Sequence, residues 1–175
     1  MAARIKTVRL ITRTAILLAL TIVFQTIGRA ITLGQFNQFI TGSLVNACLV
    51  VAAAATGLWG GAAVALLAPF GAILTGAAVP LPFAPVIAVG NFILVLMYIL
   101  IKKNHILGIA VGAVLKFGFL FLGVNIFVNL MGIPAQKATA MIATFSWPQL
   151  VTAVIGGVLA LLVIKALGVA VETKE

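Results

Sequence analysis

The sequence predicts an all-α integral membrane protein with six transmembrane helices and cytoplasmic N- and C-termini. Of its 175 residues, 64% are hydrophobic and only 7% are charged, and the mean hydropathy is +1.33. A soluble domain of this size needs more polar residues to cover its surface. The apolar runs are also too long for the alternation of a half-buried strand, whereas a helix crosses the hydrocarbon in about 20 residues. We therefore expect residues 1–175 to form one membrane domain.

The first helix is predicted from about Thr7 to Ile27. The basic segment MAARIKTVRLITR at its start resembles the beginning of a signal peptide. No small-residue cleavage site clearly follows, however, and further spans come after it, so we expect this helix to be retained. The stretch GRAITLGQFNQFI then connects it to the next helix.

The second and third helices are predicted at about Thr41 to Thr56 and Trp59 to Val79. Between them the stretch GLWGG contains three glycines, which indicate a tight turn where the chain folds back. Pro69 lies near the middle of the third helix and is expected to kink it or to free a carbonyl group. The sequence leaves open whether this kink serves packing alone.

The last three helices are separated by stretches that interrupt the apolar pattern. The stretch PLPFAP cannot continue a helix, and the fourth helix follows from about Val86 to Ile101. The polar stretch KKNH ends it, and the fifth helix runs from His105 to about Met131. The stretch GIPAQKATAMIATFS is predicted as a loop. The sixth helix extends from about Pro148 to Val169, because proline is well tolerated in a first turn.

Lysine and arginine orient the predicted helices, and the formal net charge is +9. With a cytoplasmic N-terminus, most basic residues lie near the inner face, namely Arg4, Lys6, Arg9, Arg13, Lys102, Lys103, Lys165 and Lys174. Only Arg29 and Lys137 lie outside, which agrees with the positive-inside rule. The basic residues do not alternate with aromatic residues as they do on a nucleic-acid-binding surface, so we expect no nucleic acid partner.

The residue types argue against catalysis. The sequence has no aspartate, and its only glutamates are Glu172 and Glu175, so the helices lack carboxylates for acid–base chemistry. His105 stands beside two lysines, where a solvated histidine is expected more often than a catalyst or ligand. Cys48 is the only cysteine, which excludes an internal disulfide and a thiolate metal cluster. There is no phosphate-binding loop. We expect neither an enzyme nor a cofactor or metal site.

Lys116 interrupts the apolar run VGAVLKFGFLFLG. It lies about 16 Å from the inner end of the fifth helix, where a lysine costs roughly 2.5 to 3.5 kcal/mol. Such residues usually face a cavity or a partner, and an anionic ligand would supply the missing charge. The alternative is a lysine that stretches toward one interface, or one that is deprotonated against backbone carbonyls.

Neutral polar side chains gather at the outer ends of the predicted helices and loops, including Gln35, Asn37 and Gln136. They predict a hydrophobic cup that opens outward and binds a small polar organic molecule. An ion channel would use charged rings or a carbonyl filter instead. The candidate ligand contacts are Asn46, Asn91, Lys116, Asn125, Asn129, Trp147, Gln149 and Gln38. Asn125 and Asn129 point about half a turn away from Lys116 and could instead bond a neighbouring helix. Trp147 could be an interfacial anchor.

Small residues form strips on two helices. Ala15 and Ala19 are four residues apart on the first helix, as are Gly108 and Gly112 on the fifth. Such strips let another helix approach closely, although packing within the chain is the commoner explanation.

With its six helices, basic N-terminus and Ala15-xxx-Ala19 strip, the chain resembles the S components of energy-coupling factor (ECF) transporters. These are the vitamin-capturing membrane subunits of those systems. The stretch TGSLVNACLVVAAAATGLWGGAAVALLAPFGAILTG is similar to the second and third helices of this family. The resemblance implies a multi-pass protein of the prokaryotic plasma membrane that captures a vitamin from outside. It also implies docking through Ala15 and Ala19 on a membrane coupling (T) subunit joined to two cytosolic ATPase subunits.

The sequence favours one class of substrate and leaves one competing function. If Lys116 contacts the ligand, an anionic vitamin such as pantothenate or folate fits better than a neutral one such as pyridoxine. The competing hypothesis is a stand-alone small permease or a structural membrane protein.

Overall fold

The computed structural model describes residues 2–30, 36–77 and 79–168, and all regular structure within them is helical. The elements are α1 (Ala2–Ala30), α2 (Phe36–Leu74), a short 3-10 helix (Leu81–Phe83), α3 (Ala84–Leu100), α4 (His105–Leu130), α5 (Ala135–Thr144) and α6 (Trp147–Ala166). Five stretches of the described chain are long and apolar enough to cross a membrane: Arg4–Gly28, Phe36–Leu74, Leu81–Leu100, His105–Leu130 and Ala135–Ala166. The predicted all-α class is confirmed.

The helix α2 reverses direction at Gly57. This residue has φ 67° and ψ −163°, a conformation that is essentially restricted to glycine. A Cβ on Gly61 would lie 3.0 Å from the Cα of Ala53, although eight residues of straight helix would separate them by about 12 Å. Residues 36–56 and 58–74 are therefore two antiparallel arms, and the reversal lies at the predicted GLWGG turn.

The two arms of α2 form the centre of the bundle. They pack against α1, α3 and α6, and α4 in turn packs against α3 and α6. The largest buried apolar cluster includes Leu49, Val50, Val64 and Leu94, which come from both arms and from α3. A second cluster joins the 3-10 helix to the ends of α4 and α5, where the ring of Phe83 lies 4.9 Å from that of Phe145.

The loop predicted between the fifth and sixth helices was wrong, because most of it is the helix α5. Its sequence AQKATAMIAT is rich in good helix formers and follows a proline. The third predicted helix ends at Leu74 rather than at Val79, and Gly76 follows with φ 94°. The second predicted helix begins earlier than expected, at Phe36. Five residues named above, Gln35, Val169, Glu172, Lys174 and Glu175, lie outside the described part of the chain.

The two ends of the bundle differ in charge. The start of α1, the reversal at Gly57, the end of α3, the start of α4 and the end of α6 meet at one end. Most basic residues whose side chains are described lie toward this end: Arg4, Lys6, Arg9, Arg13, Lys102, Lys103 and Lys165. We call it the basic end. Lys137 on α5 lies at the opposite end, and Lys116 lies between the two.

Candidate functional site

A cavity of about 240 Å³ lies at the end of the bundle opposite the basic end. Its lining comes from all six helices, so the whole bundle shapes it. The polar lining residues are Gln25, Asn37, Gln38, Thr41, Asn46, Asn91, Lys116, Thr144 and Gln149, and the apolar ones include Val45, Pro69, Ala72, Ile87 and Phe145. We call it the amide cavity, because asparagine and glutamine make up most of its polar wall.

Lys116 forms the floor of the amide cavity and is only 2% exposed. Its Nζ donates hydrogen bonds to the Oδ1 atoms of Asn46 and Asn91, the latter at 2.8 Å. The floor lies deep in the bundle, since Asn46 is about 15 Å along its arm from Phe36. The described residues include no aspartate or glutamate, so neutral amide oxygens take the place of a counter-ion.

A short hydrogen-bond chain holds Asn46 in place beneath the cavity. Its Nδ2 donates to Oγ1 of Thr152 at 3.3 Å, and that hydroxyl donates to the carbonyl of Gln149 at 3.3 Å. Gly156 lets α6 approach closely enough for this contact, because a Cβ there would lie 2.6 Å from the Cβ of Asn46. The Asn46 amide is thus oriented by α6 with its oxygen toward the lysine.

The upper wall of the cavity supplies further hydrogen-bonding groups. The Oε1 of Gln25 is buried and has no hydrogen-bond partner among the described residues. Thr41 donates to Oδ1 of Asn37 at 3.3 Å, and Gln149 donates to the carbonyl of Thr144 at 3.2 Å. This wall can accept and donate hydrogen bonds to a polar solute. The described residues contain no cluster of histidine, cysteine or carboxylate side chains that could hold a metal ion.

The family model described as ECF transporter, substrate-specific component, matches residues 9–168. The chain belongs to this family. No curated protein and no solved structure gave a significant match. The matched range includes every residue that lines the amide cavity. Members of this family are the substrate-binding subunits of transporters and are not a class of enzymes.

The structure brings together five of the residues that the sequence proposes as ligand contacts in this S component. Gln38, Asn46, Asn91, Lys116 and Gln149 all line the amide cavity. They come from four different helices. Their common location follows from the way α2, α3, α4 and α6 are rotated in the bundle.

The other three proposed contacts do not line the amide cavity. Asn125 and Asn129 donate to carbonyls of their own helix, those of Phe121 at 2.7 Å and Asn125 at 2.9 Å. The side chain of Trp147 is 58% exposed, and its ring lies 5.4 Å from that of Phe39.

Sequence reasoning missed Gln25, Thr41, Thr144 and Thr152. Thr152 carries a usable signal, because it lies one helical turn after Gln149 and therefore shares its face. Gln25 carries none, since rotation of α1 about its axis decides whether this side chain faces the bundle or the lipid.

The small-residue strips of the two helices differ in their surroundings. Gly108 and Gly112 are buried, and a Cβ on Gly108 would lie 3.1 Å from the carbonyl oxygen of Met97 on α3. Ala15 and Ala19 are instead exposed on the surface of α1. The glycine strip therefore packs within the chain, whereas the alanine strip has no packing role among the described residues.

Proposed function

We propose that this S component captures a small, water-soluble vitamin or related micronutrient in the amide cavity. The observation that carries the proposal is the buried Lys116, held by Asn46 and Asn91 at the cavity floor. As an ammonium group it has three N–H donors, of which two are used. The third donates to a carboxylate or phosphate oxygen of the ligand, which supplies the charge that the helices lack.

The dimensions of the amide cavity favour a small anionic vitamin. Its volume of about 240 Å³ lies just below the range of roughly 300–1,000 Å³ that is usual for ligand pockets. Pantothenate therefore fits the cavity better than the larger folate. The wall groups Gln25, Asn37 and Thr41 suit hydroxyl and amide groups on such a ligand, while Val45 and Phe145 contact its carbon skeleton.

We infer six membrane spans, with the basic end in the cytoplasm and the amide cavity open to the outside. The two arms of α2 contain about 21 and 17 residues, and each is long enough to cross the hydrocarbon. Together with α1, α3, α4 and α6 they make six spans. The concentration of lysine and arginine at one end supports this orientation in a prokaryotic plasma membrane.

Uptake requires partners, and we propose that the surface around Ala15 and Ala19 docks on the membrane coupling (T) subunit. Both alanines are exposed on α1 and form a strip of small side chains next to larger exposed neighbours such as Ile16 and Val23. Another helix can approach such a strip closely. Two cytosolic ATPase subunits supply the ATP hydrolysis, for which this chain has no sequence motif.

The test is mass spectrometry of the small molecules released from detergent-purified protein. We expect one vitamin in near-stoichiometric amount from the wild type. It should be depleted from an Ala72→Phe variant, whose ring would occupy the amide cavity. Ala140→Phe is the matched control, because this alanine is exposed on α5 and does not line the cavity. If the purified wild-type protein carries no ligand and also binds none of the added vitamins, the permease or structural alternative is favoured.

A further inference from the structure

A second cavity, of about 440 Å³, lies at the basic end of the bundle. Its lining comes from α1, from the reversal of α2, and from the connection between α3 and α4. The lining residues are Lys6, Thr7, Leu10, Ala53, Ala54, Thr56, Gly57, Leu58, Trp59, Tyr98, Ile99, Lys102 and His105. We call it the basic cavity. It shares no lining residue with the amide cavity, so the two are separate sites.

Cationic side chains from different elements meet at the basic cavity. Lys6 comes from the first turns of α1, and Lys102 follows the end of α3. The described part of the chain contains no carboxylate side chain that could pair with either lysine. Two like charges brought to one cavity repel each other, and an anion between them would remove that repulsion.

Two buried polar atoms beside these lysines also lack partners. Tyr98 is 2% exposed, and its hydroxyl oxygen has no hydrogen-bond partner among the described residues. The same holds for Nδ1 of His105, whose ring stacks on that of Tyr98 at 4.9 Å. A buried polar group without a partner is costly. An oxygen-rich ligand in the cavity would let both side chains complete their hydrogen bonds.

We propose that the basic cavity binds the phosphate headgroup of an anionic phospholipid. Phosphate oxygens accept hydrogen bonds from both lysines and from the tyrosine hydroxyl. Lysines near a membrane surface attract anionic lipids, and Trp59 at the cavity is 82% exposed, as expected for an interfacial tryptophan. Leu10 lies one helical turn after Lys6 on the same face of α1 and also lines the cavity, so an apolar surface for the acyl chains adjoins the lysine. This site does not depend on the ligand of the amide cavity.

The test compares lipids that differ only in headgroup, using the intact protein in detergent. Native mass spectrometry with phosphatidylglycerol and phosphatidylcholine of equal chain length measures retention, and inorganic phosphate is the soluble probe. We expect phosphatidylglycerol to be retained in preference to phosphatidylcholine, and inorganic phosphate to compete only weakly. Equal retention of the two lipids would overturn the proposal. If micromolar inorganic phosphate saturates the cavity, its ligand is a soluble anion rather than a lipid, and the proposal is overturned as well.

Neighbouring lysines supply a matched pair of variants for the same assay. Lys102→Gln should reduce the affinity for phosphatidylglycerol about tenfold, the loss expected for one charge-assisted hydrogen bond. Lys103→Gln should have little effect, because Lys103 is exposed and does not line the cavity. Tyr98→Phe should also lower the affinity for phosphatidylglycerol, without changing the net charge of the protein. Equal losses for the two lysine variants would show that the lipid responds to surface charge alone and would refute the site.

Discussion

Replacing Lys116 by methionine tests the central feature of the amide cavity. The substitution removes Nζ and keeps an unbranched side chain of similar length. We expect the affinity for an anionic vitamin to fall about 10- to 150-fold. This range follows from the roughly 1.5 to 3 kcal/mol that a hydrogen bond to a charged group contributes, at about 1.36 kcal/mol for each factor of ten.

The fold should tolerate this change, so that a loss of binding can be interpreted. The Oδ1 atoms of Asn46 and Asn91 both lose the hydrogen bond from Nζ, while Nδ2 of Asn46 keeps its bond to Thr152. An acceptor left without a partner costs about 1 to 3 kcal/mol, but both asparagines line the cavity, where water can replace the lysine. Removing a lysine from mid-membrane offsets part of this, since its insertion costs roughly 2.5 to 3.5 kcal/mol. The unfolding midpoint should therefore shift by only a few degrees.

The assay is isothermal titration calorimetry of the ligand that copurifies with the protein, with pantothenate as the first probe if none does. The matched control is Lys137→Met, because Lys137 is exposed on α5 and lies outside the cavity. A neutral amide analogue of the ligand should bind both lysine variants and the wild type with similar affinity. The reasoning is refuted if a folded Lys116→Met protein binds the anionic ligand as tightly as the wild type does, or if Lys137→Met weakens it equally.

Three further variants test docking, the reversal of α2 and the approach of α6. Ala19→Trp should abolish uptake by cells yet preserve ligand binding. The control Ala110→Trp, at an exposed alanine on α4, should preserve both uptake and binding. Normal uptake by cells that carry the Ala19→Trp variant would exclude the proposed docking surface. Gly57→Ala should lower the free energy of unfolding in detergent by roughly 1 to 3 kcal/mol, whereas Gly118→Ala, in open space on α4, should leave it unchanged or slightly raised. Gly156→Ala would place a Cβ 2.5 Å from a backbone oxygen of α2, so it should lower both the stability of the protein and its affinity for the ligand. Unchanged unfolding and ligand-binding titrations of this variant would contradict this account of the cavity floor.

The sequence predicts the fold class well because membrane helices are encoded by long apolar runs that need no knowledge of the tertiary structure. The reversal at Gly57 was also predictable, since a glycine cluster between apolar runs is a strong turn signal. The helix α5 was missed because it is short and is flanked by Gly, Pro and Ser, which are typical of loops, although seven of its ten residues are good helix formers. Secondary structure was therefore predictable where a long apolar run and its composition both indicated a helix, and not where a short helix is flanked by loop-forming residues.

The partners of Lys116 could not be predicted, although its depth could. The rise of a helix places Lys116 near mid-membrane, but the rotation of each helix about its own axis decides which side chains meet there. Angular spacing within α4 correctly places Lys116 on a different face from Asn125 and Asn129, because all three residues lie on the same helix. Asn46 and Asn91 lie on other helices, and nothing in one sequence fixes their rotation relative to α4.

In the proposed site, neutral amides at the cavity floor would let a lysine be buried and still be available to a ligand. A carboxylate beside Lys116 would stabilise it more strongly, but it would also cancel the charge and repel an anionic ligand. In the proposed site, the Oδ1 atoms of Asn46 and Asn91 accept hydrogen bonds from Nζ without adding a negative charge, so an anionic ligand would meet an amine that is already oriented and desolvated. Because the amides are themselves oriented by α2, α3 and α6, the geometry of the floor depends on the packing of the whole bundle. A movement that rotates or separates these helices would alter the affinity for a ligand bound there, and would give the proposed partner subunits a physical means of releasing the substrate.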